Sequence, residues 1–549
     1  MSSDRSDRSD PPRPFDPVGD TPRPISIWRP ATVDGAPAWV RPEPGPLGDH
    51  HATTRVLRPK GSRAVRRICL LGESAAAGYL YAPHVTPARI LSRILQVDLR
   101  AADGAAGYEV IDLSRTNETL GPMVDTAEAA LQLEPDLLLI YAGNNWPLLE
   151  TPEVSPLVPS PGARRQVAAA LAQVGAGGDQ VGVAGPVGLA RKRLAAKAEA
   201  ALARLAEVAA GSRAGSGIPV LLLLPEVNLA DWESRQPPVW LPGDGSRRWH
   251  ELYRAAVDAL GREDWDEAER CAWRMNALDG SSCPTPFRVL ARAWQGKGLD
   301  ADARDAALAE VDAVHYPLLC FLDAPRATTE VRRLLTEAAG RHGFSTVDLR
   351  DVFARHTGSP LPGRRLFLDY CHLTLEGMQV AMAAAAEEIR RLCPLPNRDG
   401  DRDGVRDRNR GRGRDGIRGG AGGGPGAGGD LVAGTDEAAL DLDVPPAAEA
   451  TARLGAALHG AHRLLPLTPP SPPDVLRHWC AAALRADPGI ARAMVDLAAA
   501  RLALVGTGSG AGPQSSAPGV PAVLTEPFRR LQASPYRMTL QHGLRWNNL

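Results

Sequence analysis

Apolar residues in this chain fall into short runs separated by longer amphipathic stretches, and that spacing predicts an alternation of strands and helices. Arg67 to Leu71 reads as a buried strand, and a helix over Pro87 to Leu99 follows, with Ile90, Leu91, Ile94 and Leu95 on one face. Tyr108 to Leu113 is the second strand, and a helix from about Pro122 to Leu133 stops before Pro135. The third run, Asp136 to Tyr141, is almost wholly apolar, as a central strand covered on both faces should be. A charged helix, Arg191 to Ala210, leads to a fourth strand at Ile218 to Leu224. A fifth, Ser345 to Leu349, comes much later and precedes a long Ala-rich helix that ends near Cys393. Strands alternating with helices predict an α/β fold with a parallel sheet covered on both faces.

Two stretches interrupt this pattern. Residues 147 to 190 are rich in Pro, Gly and Val and read as an irregular insertion over one end of the sheet. Between the fourth and fifth strands the phrase Glu263-Asp264-Trp265-Asp266-Glu267-Ala268 is echoed by Gly298-Leu299-Asp300-Ala301-Asp302-Ala303. The offset is close to a tetratricopeptide period of ~34 residues. Ala268 and Ala303 are small where paired helices approach closely, so the segment resembles two tetratricopeptide units. A generic helical hairpin explains the same spacing.

The flanks differ in composition. Residues 1 to 64 are rich in Pro, Arg and Asp and are expected to be mostly disordered, apart from a small hairpin around Trp28 to Val40. Residues 396 to 430 form an Arg/Asp/Gly run in which Asp offsets much of the Arg charge, so a solvated linker is expected rather than an RNA-binding segment. Beyond it, Ala447 to Leu464 and Pro473 to Leu504 read as helices. The expected organisation is an N-terminal segment (1–64), an α/β domain in two parts (65–246 and 316–395), a helical insertion (247–315), a linker (396–430) and a C-terminal helical region (431–549).

Composition narrows the function classes. The net charge of −1 over 549 residues gives no field that would attract nucleic acid or an anionic membrane. The seven cysteines are scattered without a C-x-x-C pair, which supports neither a zinc site nor a disulfide framework. No apolar run approaches the ~20 residues that span a bilayer, and Met1 to Asp7 has no apolar leader pattern. A cytoplasmic protein that needs no metal or cofactor is expected.

Candidate chemistry collects at the carboxyl ends of the expected strands, where open α/β sheets bind ligands. Gly72-Glu73-Ser74 follows the first strand at the expected start of a helix, Gly143-Asn144-Asn145-Trp146 follows the third, and Asp369-Tyr370-Cys371-His372 follows the fifth. Taken singly, these are an N-cap turn, a turn, and a capping Asp with a surface His. In this order they resemble the SGNH (GDSL-type) hydrolase superfamily over roughly residues 65 to 393. The Gly-Asp-Ser block carries Glu73 for Asp, Trp146 replaces the Asp of the Gly-x-Asn-Asp block, and the Asp-x-x-His block is complete. The resemblance implies a flavodoxin-like three-layer sandwich. It also implies an acyl-serine at Ser74, with His372 as base and Asp369 as its partner. The oxyanion hole would comprise the Ser74 N–H, Asn145 and a donor from the loop after the second strand. The family commonly has Gly in that loop, and Asn117 falls at its position, so its backbone N–H or its side-chain amide would donate.

Chemistry asks for these residue types: a serine hydroxyl needs a base, an imidazole titrates near neutrality, and a carboxylate fixes its tautomer. His84 and His315 are competing histidines without an Asp at matching spacing. Cys371 is a conceivable thiol nucleophile but reads as packing. The expected substrate is a small-molecule acyl ester, cleaved by a serine esterase. One rival is an acyltransferase with an acceptor crevice built from Trp146, Trp232 and Trp240. The other is an inert helical-repeat scaffold that binds a protein partner.

Overall fold

The computed structural model describes residues 22–41, 53–61, 65–97, 107–146, 185–211, 217–232, 241, 243–281, 283–314, 325–395, 444–463 and 474–492. Of the irregular insertion expected over 147 to 190, residues 147–184 lie outside the described residues, as do the linker and the tail beyond 492, whereas 185–190 are helical: the helix expected from Arg191 begins at Gly185, with Pro186 in its first turn, where proline is tolerated.

Strands β1 (Arg29–Val33), β2 (Ala36–Val40) and β3 (Val56–Leu57) form a small antiparallel sheet in the order β1-β2-β3. Part of the segment expected to be disordered is therefore ordered. The cause is apolar: Trp28, Trp39, Ile25 and Leu57 are all buried in the main core.

The main sheet is made of β4 (Val65–Gly72), β5 (Gly107–Asp112), β6 (Leu137–Tyr141), β7 (Val220–Leu224) and β8 (Ser345–Asp348). All neighbours are parallel and the order is β5-β4-β6-β7-β8. This is the doubly wound 2-1-3-4-5 order, whose switch point lies where the chain leaves the first strand in opposite directions. Here that point is β4, between β5 and β6, and Ser74 lies two residues past its end.

Alternation along the strands divides the core into two layers. Ile68, Leu70, Leu139 and Leu223 face helices α1 (Pro87–Val97), α9 (Leu349–Thr357) and α10 (Leu375–Leu392). Cys69, Leu71, Ile140 and Leu222 face α2 (Leu120–Ala130), α3 (Gly185–Ala210) and α8 (Thr329–His342). The chain is thus a mixed α/β protein with a parallel sheet between two helical layers.

Between β7 and β8 the chain makes four consecutive helices, α4 (Gly245–Gly261), α5 (Trp265–Asp279), α6 (Pro284–Gly296) and α7 (Asp300–Val314). Ala268 and Ala303 are fully buried, as a close helix approach requires, and Gly296 lies so near the Trp265 ring that a Cβ would overlap it. Helices α11 (Pro446–Arg463) and α12 (Asp474–Ala486) follow the linker. The last expected helix is interrupted at Asp487, because Pro488 disfavours the helical conformation at the residue before it. Among the described residues no helix is long and apolar enough to cross a membrane.

Candidate active site

Gly72 ends β4 where the backbone of β6 is closest: a Cβ there would fall on the Tyr141 carbonyl oxygen and the Ala76 side chain. Only glycine lets the chain turn at this point with both strands in register. No regular helix begins at Ser74. Residues 74–84 form a run of turns, with the Ala77 N–H donating to the Glu73 carbonyl at 2.9 Å and the Tyr79 N–H to the Ser74 carbonyl at 3.0 Å. Among the described residues, the Ser74 N–H has no acceptor.

The loop after β8 and α9 supplies the opposite wall. A bridge between Phe367 and Leu373, and the Leu368 N–H donating to the His372 carbonyl at 2.8 Å, close residues 369–372 into a tight turn. Inside it Asp369 Oδ1 accepts the N–H groups of Cys371 (3.1 Å) and His372 (2.9 Å). The D-x-x-H spacing is therefore a local device: the carboxylate that orients the imidazole also folds the turn that carries it. The loop after β7 braces this turn from outside, as Asn228 donates its N–H to the Tyr370 carbonyl and its Nδ2 to the Asp369 carbonyl, both at 3.0 Å.

Across the crevice His372 Nε2 lies 2.8 Å from Ser74 Oγ, and His372 Nδ1 lies 2.7 Å from Asp369 Oδ2. Asp369 and His372 are buried, while Ser74 is partly open. Burial by itself would raise the Asp369 carboxyl. The charge and hydrogen bond of His372, with the hydrogen bond of His459, outweigh it and hold the group far below the usual carboxylate range. As a carboxylate Asp369 only accepts, so Nδ1 of His372 carries the proton and Nε2 is free to take one from Ser74.

Asn145 sits at the carboxyl end of β6. Its N–H donates to Glu73 Oε2 at 3.1 Å and its Nδ2 to the Glu118 carbonyl at 3.0 Å, which ties the loops after β4, β5 and β6 together. One amide hydrogen of Nδ2 is used in this way and the second remains. Asn117 is exposed and has φ 57°, a left-handed conformation that glycine and asparagine tolerate best. That accounts for an Asn at a glycine-type position.

Glu73, the departure from the Gly-Asp-Ser pattern, is buried beneath this loop and also accepts the Asn144 N–H at 2.8 Å. Burial pushes its carboxyl up to about 8, against the pull of the backbone N–H groups of Gly143, Asn145 and Asn144. The folded protein therefore binds this proton more tightly than the unfolded chain. The resulting stability is complete below the ordinary value near 4.5 and is lost as pH rises towards 8. Glu73→Gln keeps an acceptor and cannot ionise. Between pH 5 and 8 the parent should lose up to about 1 kcal/mol per pH unit relative to this variant. Parallel melting curves across that range would show that Glu73 does not titrate on folding.

Cys371 is buried, and burial followed by the charges of Asp369 and Glu73 raises its thiol well above its ordinary value, so it has no thiolate to offer as nucleophile. His84 is exposed, and His315 lies outside the described residues. Of the three tryptophans expected to build an acceptor crevice, Trp146 and Trp232 are buried in the main core, and Trp240 lies outside the described residues.

Sequence reasoning missed His459. This residue of α11 is buried, and its Nδ1 lies 2.7 Å from Asp369 Oδ2. Asp369, His372 and His459 are also the one group among the described residues whose ligand atoms, all within 4.8 Å of one another, could close on a metal ion. Both Nδ1 atoms stand at hydrogen-bond distance from the carboxylate.

No family model and no curated protein sequence matches this chain. A structural comparison found a lipase/acylhydrolase from Enterococcus faecalis, 15% identical, covering 60% of this chain and 99% of that one with a TM-score of 0.27. An overlap that low carries no argument about function.

Proposed function

We propose that the chain is a serine acyl hydrolase of the SGNH type that cleaves a carboxylic ester of a small molecule. The observation that supports this reading best is the hydrogen-bonded series Ser74–His372–Asp369 at the switch point of a parallel sheet. Ser74 Oγ attacks the ester carbonyl carbon as its proton passes to His372 Nε2, and Asp369 stabilises the imidazolium that forms. The Ser74 N–H, the second Nδ2 hydrogen of Asn145 and a donor at Asn117 receive the oxyanion. The carbonyl–alkoxy bond then breaks, the alcohol leaves with the proton from His372, and water repeats the sequence on the acyl-serine.

Acyl transfer to an alcohol or amine acceptor would pass through the same acyl-serine. An inert scaffold is the rival from another class, and labelling separates it from both. Incubation with a fluorophosphonate probe, digestion and mass spectrometry should find the adduct on the peptide containing Ser74. A folded protein that stays unlabelled there would overturn the reading.

A further inference from the structure

Helix α11 returns to the sheet from beyond the linker and places a histidine on the carboxylate at the centre of the site. Its inward face is made of small residues at helical spacing: Ala452 and Ala456 are buried in the core, and Gly455 packs under Leu80 so closely that a Cβ would overlap that side chain. His459 continues this stripe, three residues beyond Ala456. The helix is fastened nearby by the Tyr81 hydroxyl, which donates to Glu449 at 2.9 Å. The next helix is held by Arg364, which pairs with Asp474 at 2.8 Å.

A buried imidazole needs partners for both ring nitrogens, and His459 has them. Nδ1 meets Asp369 Oδ2 at 2.7 Å, the same oxygen that His372 Nδ1 reaches at 2.7 Å. Since the carboxylate only accepts, both rings carry their proton on Nδ1. Nε2 of His459 faces the Tyr79 hydroxyl, 3.3 Å away. Tyr79 lies against both imidazoles, its ring centroid 4.7 Å from that of His372 and 5.5 Å from that of His459. One carboxylate thus sets the tautomer of two histidines, only one of which reaches Ser74.

We propose that His459 is a positioning residue for the Asp369–His372 pair, so that the C-terminal helix completes a site whose other parts precede the linker. Its Nδ1–H holds the Asp369 carboxylate in the plane that His372 needs while the imidazolium forms. This rests on the serine hydrolase reading above.

The test uses the full chain with two substitutions. His459→Leu keeps bulk and removes the donor. His459→Asn keeps a donor close to where Nδ1 stood. On a p-nitrophenyl ester the Leu variant should lose about 10- to 100-fold in kcat with KM within about twofold, the size expected for one hydrogen bond to a charged group. The Asn variant should recover to within about threefold of the parent. Fluorophosphonate labelling of Ser74 should slow in the same order. A Leu variant with parental kcat and labelling rate overturns the proposal, as does an Asn variant that loses as much as Leu at equal melting temperature. Should the Leu variant fail to fold, His459→Ala decides: it removes the donor to Asp369 without adding bulk and should lower kcat by the same about 10- to 100-fold, and an unchanged kcat overturns the proposal. A parent protein that is not labelled at Ser74 refutes the hydrolase reading itself, an outcome distinct from a labelled parent with an indifferent His459.

Discussion

Ser74→Ala and His372→Ala are each expected to lower kcat by roughly 10⁴- to 10⁶-fold on a p-nitrophenyl acyl ester, and the double variant by no more than either. The reason is geometric. With 2.8 Å between Ser74 Oγ and His372 Nε2, attack and proton transfer are one event, and a serine without its base is as inert as a base without its serine. Asp369→Asn should cost roughly 10⁴-fold, because an amide that donates towards Nδ1 turns the imidazole to the wrong tautomer. It would also leave a second Nδ1–H, that of His459, facing the same altered group. The measurement is kcat for the single and double variants under one set of conditions. A His372→Ala variant with near-parental turnover, or a double variant much worse than both singles, would remove His372 from the role of base.

The second large effect is expected at Asn145. Asn145→Ala should lower kcat by roughly 10²- to 10³-fold with little change in KM, because an oxyanion donor acts mainly in the transition state. Asn145→Asp should be worse, since a carboxylate cannot donate and brings negative charge to where negative charge develops. The Nδ2 bond to the Glu118 carbonyl adds a check on the interpretation: a purely structural loss would lower the melting temperature and KM-normalised binding together, whereas an oxyanion loss appears in kcat alone. At Asn117 the left-handed backbone makes glycine acceptable, so Asn117→Gly separates two donors. Parental or higher activity marks the backbone N–H, and a loss as large as that of Asn145→Ala marks the side chain. If neither position matters while Ser74 still acylates, the oxyanion is held elsewhere.

How much of this could be read beforehand depended on how local each feature is. The central strand Leu137–Tyr141 declares itself because a parallel strand covered on both faces must be apolar at every position. Asp369 and His372 stand three apart and fold one turn, so their relation is written in the spacing. Helix α8 was within reach: Val331, Leu334, Leu335 and Ala338 have helical spacing behind the capping Thr328. The turns after Ser74 were not, because Ala75, Ala76 and Ala77 suit a helix and only packing against α1 and α11 decides otherwise. His459 left no signal of its own. It sits in an Ala-rich helix, and its partner is 90 residues earlier in the chain, a pairing that propensity and periodicity do not encode.

That separation also has a meaning in time. A ribosome delivers the chain from its N-terminus at about 5–20 residues per second, and folding of the emerged part keeps pace. Ser74, Asp369 and His372 therefore emerge while the helix bearing His459, 90 residues after Asp369, is still unmade. For roughly 5 to 20 seconds of each round of synthesis the nascent protein holds the proposed nucleophile and base without the residue proposed to steady them. A message truncated within the linker would make such a molecule permanently.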